Sequence, residues 1–158
     1  MSVSLLVAAA LALAGDDPAT ELWPVLAARD APPACAALFE GRDAAQVRAA
    51  LVSLVGNEVR PPWVPMRAAR CLIEEQGSEP EVVELVGEWM VDPAVPGLAL
   101  VVVGSLDELP VEVAVELAGL AVERAGREPR FALHARPALE RSAHPEVVEL
   151  APLVRVAD

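Results

Sequence analysis

Along most of the chain, apolar positions recur every three or four residues, the period of an α-helix with one buried face. After Pro80, the residues Val82, Leu85, Val86 and Trp89 fall on one side of such a helix, and Glu81, Glu84 and Glu88 fall on the other. The hexamer that opens this stretch, PEVVEL at Pro80–Leu85, returns letter for letter at Pro145–Leu150. A relative, PVEVAVEL, occupies Pro110–Leu117, where Glu112, Glu116 and Glu123 lie opposite Val113, Leu117 and Leu120. Proline is tolerated in the first turn of a helix because its missing N–H has no intrahelical partner there. Each hexamer therefore predicts a helix start, with Ser78 and His144 just upstream of two of them.

Each start follows another helical segment: Val64–Leu72, Val95–Val103 and Pro129–Leu139. Overlaid, Pro65, Pro96 and Pro129 coincide, as do Ala68, Ala99 and Ala132. A helix–turn–helix unit of this size is too thin to bury its own apolar face and must stack on a neighbour. An earlier pair is expected in Pro32–Gly41 and Arg42–Val55, preceded by a short capping helix in Thr20–Asp30 with Thr20 as N-cap and Pro24 in its first turn. Gly56, Gly77, Gly104 and Gly126 fall at helix ends, as C-terminal caps do. Leu98–Val103 is β-branched enough to form a strand, but its register in the repeat assigns it to a central, fully buried helix. The closing Pro152–Asp158 is too short for a complete second helix and is expected to fray.

The segment Asp92–Leu106, DPAVPGLALVVVGSL, resembles the first helix of a HEAT repeat, commonly written D-P-x-V-R-x-x-A-x-x-A-L-G. Asp92, Pro93, Val95, Ala99 and Gly104 match, while Pro96 stands in place of the usual Arg and Val102 in place of the second Ala. In the preceding unit Val64, Ala68 and Leu72 match without the Asp-Pro, and the likeness extends over Pro61–Leu153 and more loosely over Pro32–Val55. The resemblance implies an all-α, right-handed α-solenoid of three to four HEAT-like helix pairs with an N-terminal capping helix. A compact α bundle is the alternative. In HEAT-like stacks the second helices line the concave side. The resemblance thus places Glu81, Glu84, Glu88, Glu112, Glu116, Glu123, Glu146 and Glu149 as one acidic stripe along a groove. The first helices carry Arg67, Arg70, Arg136 and Arg141 instead. The stripe reads either as a solvated face or as an electrostatic groove for a basic peptide or protein segment.

A formal net charge of −12 excludes the basic footprint that nucleic acid and anionic membrane surfaces require. Hydrophobic residues make up 54% of the chain, but its aromatics are only three Trp and two Phe, so Ala, Val and Leu must fill the core, as close-packed helices allow. The apolar run Val3–Ala14, closed by Ala12-Leu13-Ala14 before Gly15, reads as a signal peptide over residues 1–14, although no Arg or Lys precedes it. Residues 15–31 then form an N-terminal segment with the capping helix and 32–158 the repeat domain, in a periplasmic or secreted protein with no stable membrane insertion. If the run is instead a buried N-terminal helix, the protein is cytoplasmic.

Chemistry is sparsely signalled. His134 and His144 have no second ligand at helical i+3 or i+4 spacing, so neither a metal nor a cofactor is expected. No nucleophile elbow, phosphate loop or Cys-x-x-Cys pair is present. Cys35 and Cys71 sit in the first helices of successive units and are open to two readings, a disulfide or two buried thiols. The expected function is a non-catalytic protein–protein interaction or scaffold module. The alternative is an accessory subunit or small enzyme with an unrecognised site on a helical scaffold.

Overall fold

The computed structural model describes residues 17–56 and 61–156; the signal-peptide reading of residues 1–14 falls outside them. Every regular element among the described residues is helical. The chain runs through α1 (Pro18–Ala27), α2 (Cys35–Phe39), α3 (Ala44–Val55), α4 (Trp63–Gln76), α5 (Pro80–Val91) and α6 (Pro96–Gly104). A 3₁₀ turn, Leu106–Glu108, leads to α7 (Val111–Ala125), α8 (Pro129–Glu140), α9 (Pro145–Val148) and a last 3₁₀ turn, Ala151–Leu153.

Helix ends follow local chemistry. The first helix begins earlier than Thr20, because the Asp17 carboxylate accepts the Ala19 N–H at 3.2 Å and Pro18 occupies the first helical position. Thr20 is consequently a helical residue, and Pro24 lies in the helix interior, not in its first turn. Asp43 caps α3 in the same way, accepting the Gln46 N–H at 2.9 Å. Gly56, Gly77 and Gly126 cap α3, α4 and α7, whereas Gly104 is the last residue of α6 and Ser105 follows as its cap. In the turn between α2 and α3 the chain reverses through Gly41 at φ +70, a left-handed conformation that favours glycine.

The first-position helices contact one another in sequence, α2 on α4, α4 on α6 and α6 on α8. The second-position helices do likewise, α5 on α7 and α7 on α9, while α1 packs against α3 and α4. The repeated Ala68, Ala99 and Ala132 are each wholly buried, and a methyl side chain lets neighbouring helices approach closely. The two PEVVEL copies occupy matching environments, with Val82 and Val147 wholly buried, Leu85 and Leu150 half-buried, and Pro80, Glu81, Glu84, Pro145, Glu146 and Glu149 exposed.

Two expectations are corrected by packing. The α6 segment is helical despite its β-branched run, but it is not buried on all sides, since Leu100 and Val101 remain only half-buried. The closing segment does not simply fray: its 3₁₀ turn packs on α8, and Val154 is wholly buried.

Arginines hold several helix ends. Unpaired carbonyls at a helix C-terminus need donors, and a guanidinium supplies several in a fixed plane. Arg67 donates to Leu26 O at 2.9 Å and to Ala28 O, and Trp63 Nε1 donates to Ala27 O at 3.3 Å, so α4 closes the end of α1. Arg70 donates to Pro33 O at 3.0 Å, ahead of α2. Arg124 is only 3% exposed and donates to Met90 O at 2.8 Å and Asp92 O at 3.1 Å, closing α5 from α7.

Candidate functional site

A groove of about 680 Å³ runs between α3 and α5. Helical spacing on α3 presents Ala45, Arg48, Ala49 and Val52 to it, and α5 answers with Glu81, Glu84, Leu85 and Glu88. The floor is therefore small and apolar, and one wall is acidic. Arg48 closes the end near the start of α5: its Nε lies 3.1 Å from Glu81 Oε2, its Nη1 3.4 Å from Glu79 Oε2, and Nη1 donates to Gln76 Oε1 at 2.8 Å. This compensates Glu81. Glu84 and Glu88 make no ion pair with any described residue, so two carboxylates along the open part of the groove have no cation beside them.

The remaining members of the acidic stripe are exposed on other elements. Glu112, Glu116 and Glu123 lie on α7, Glu146 lies on α9 and Glu149 caps its end. The groove lining does not include them. Arg48 was not singled out by the sequence. The available signal was a lone cation within a small-residue face at positions 45, 48, 49 and 52 of a helix.

Three of the four first-helix arginines are engaged in the fold. Arg67 and Arg70 bind carbonyls, and Arg70 Nη2 also lies 3.5 Å from Cys35 Sγ. Arg136 pairs with Glu140 one turn on at 2.9 Å, while Arg141 borders a small cavity of about 220 Å³ beside Asp107 and Ser142. Cys35 and Cys71 are joined by a disulfide with a Cα–Cα distance of 4.9 Å, linking α2 to α4. Both cysteines are buried.

Neither histidine lies in a ligand cluster. His134 is exposed on α8, and His144 is the N-cap residue of α9, with no side-chain capping bond. Among the described residues no three His, Cys, Asp or Glu side chains gather as a metal site. Ser142 and Asp107 resemble parts of a hydrolytic relay only in composition. The Ser142 hydroxyl donates to Asp107 Oδ1 at 2.6 Å and accepts the His144 backbone N–H at 3.2 Å, while Asp107 Oδ1 also accepts Ala143 N–H at 2.9 Å. These bonds fasten the α8–α9 turn to the 3₁₀ turn before α7 and aim no imidazole at the hydroxyl. Among the described residues no helix is long and apolar enough to cross a membrane. Comparison with protein-family models, with curated proteins and with solved structures finds no match to the chain.

Proposed function

We propose that this chain is an exported, non-catalytic interaction module whose α3–α5 groove receives a basic protein or peptide segment. The observation that carries the reading is the pair of uncompensated carboxylates, Glu84 and Glu88, beside an apolar floor of Ala45, Ala49, Val52 and Leu85. Apolar side chains of a guest would bury against that floor, while its Arg or Lys side chains meet the acidic wall.

The architecture proposed for this module is a right-handed, HEAT-like stack. The sequential contacts of α2, α4, α6 and α8, and of α5, α7 and α9, support it, as do the three equivalent buried alanines. Small-angle scattering should give the elongated profile of a stack; the symmetric profile of a compact bundle would reject it.

A labelled peptide alternating Leu and Arg provides the binding test. Glu84→Gln combined with Glu88→Gln is expected to weaken binding about tenfold or more, and added salt should weaken binding to the wild type in parallel. Melting should move little, because exposed helix-face charges contribute little stability. Glu116→Gln with Glu149→Gln tests the rest of the stripe, and on this reading it leaves affinity within about twofold of wild type. Equal affinity of wild type and the Glu84/Glu88 variant would reduce the wall to a solvated face.

A further inference from the structure

A second groove, between α6 and α8, has a different chemistry. It encloses about 610 Å³ and is walled by Pro96 and Leu100 from α6 and by Pro129 and Phe131 at the start of α8. Leu100 is one of the apolar side chains of α6 that packing leaves only half-buried, and it lines this groove. Arg130 and His134, one helical turn apart, line the same rim.

The wall is held from behind. Arg124 places its guanidinium 5.3 Å from the Phe131 ring centroid while anchored on the Met90 and Asp92 carbonyls. Its Nε also lies 3.2 Å from Glu128 Oε2, so the one carboxylate lining the groove is compensated within the fold. Arg130, by contrast, is exposed and makes no ion pair or hydrogen bond with any described residue. The groove thus joins an apolar trough to a free cation, in a chain whose acidic residues outnumber its basic ones by 24 to 12.

We propose that this groove binds a single-chain carboxylate amphiphile, with its hydrocarbon along Leu100 and Phe131 and its headgroup on Arg130. The apolar walls select hydrocarbon. The uncompensated guanidinium selects an anion and matches the planar carboxylate through two parallel N–H donors. A cationic amphiphile would meet repulsion at the same place, and a neutral one would leave the guanidinium with water alone. The volume falls within the range of small-ligand sites and accommodates a chain of about ten carbons. The site is independent of the α3–α5 groove.

Calorimetric titration of the intact protein with decanoate, decanol and decyltrimethylammonium tests the assignment. Decanoate is expected to bind saturably at one per chain. Octanoate, two methylenes shorter, should bind roughly fifteenfold more weakly, since each buried methylene is worth about fourfold. Decyltrimethylammonium should not bind. Arg130→Gln should weaken decanoate about tenfold and leave the weaker decanol interaction unchanged, without moving the melting temperature of a protein in which Arg130 holds nothing. Leu100→Asn should weaken both ligands. The proposal fails if decanoate does not saturate, if the ammonium binds as tightly, or if Arg130→Gln leaves decanoate binding intact. It also fails if a peptide ending in Leu with a free carboxylate binds tighter than decanoate, which would assign the groove to protein termini.

Discussion

Gly77→Ala is expected to destabilise the protein by about 2–3 kcal/mol, the range of a forced overpacking. A Cβ at this position would lie 2.7 Å from Glu108 O and 3.1 Å from Leu109 Cδ2, with Ile73 O at 2.6 Å. Two of these atoms are backbone, so no rotamer change relieves the contact. Gly77 has φ −62, an ordinary right-handed value; the requirement is for space, where the end of α4 meets the turn leading into α7. Two other glycines separate the causes. At Gly87 on α5 an added methyl meets nothing within 4 Å, so Gly87→Ala should stabilise by about 0.5–1 kcal/mol through helix propensity. At Gly41, also open but at φ +70, alanine should cost about 1 kcal/mol in backbone strain alone. Urea midpoints of the three variants, compared at equal slope, check the ordering. A Gly77→Ala midpoint matching wild type would mean that α4 and the Glu108 turn do not approach as closely as described.

Most of the helices are legible because they carry a one-sided apolar pattern, and pattern is a local property; α6, apolar on every face, is the exception. The repeated Ala68, Ala99 and Ala132 are likewise local in sequence and equivalent in burial. Leu98–Val103 reads as a helix against its β propensity, by register in the repeat, and the segment is helical. Its incomplete burial was not legible, because the sequence does not say how wide a gap α6 and α8 leave between them. The same limit governs the acidic stripe. Periodicity fixes which face of one helix is polar, but not how successive helices are rotated about their axes. Glu81, Glu84 and Glu88 consequently share a groove with α3, and the α7 glutamates do not join them. Arg124 was missed for a related reason. In Glu123-Arg124-Ala125-Gly126 it reads as a surface residue, yet the carbonyls ending α5 draw it into the core. The Asp17 cap was misplaced because the Thr20 signal competed with Asp17-Pro18, and the carboxylate with proline after it is the stronger start.

Removing the Cys35–Cys71 bond should produce the largest loss, about 4 kcal/mol in the chain-entropy treatment of a loop closed over 36 residues. The loss should be large here for a local reason too. The α2 helix has only five residues and no side-chain N-cap, so it cannot persist on helix propensity. What fixes it to α4 is the disulfide, with the Arg70 bond to Pro33 O and the burial of Leu38 beside it. Cys35→Ala with Cys71→Ala is therefore expected to lower the urea midpoint sharply and to expose the 28–43 region to proteolysis before the rest of the chain. Hydrogen exchange should follow the same order, with α2 losing protection first and α6 to α8 retaining it. The same bond bears on the proposed export, since structural disulfides persist in oxidising compartments. Protein recovered from its native host, denatured and alkylated without reduction, should show no modified cysteine and a mass beginning at Gly15. Two alkylated thiols on a chain retaining Met1 would overturn both the bond and the export. A full-length chain with the bond intact would overturn export alone, because the pairing would then have formed without passage to an oxidising compartment.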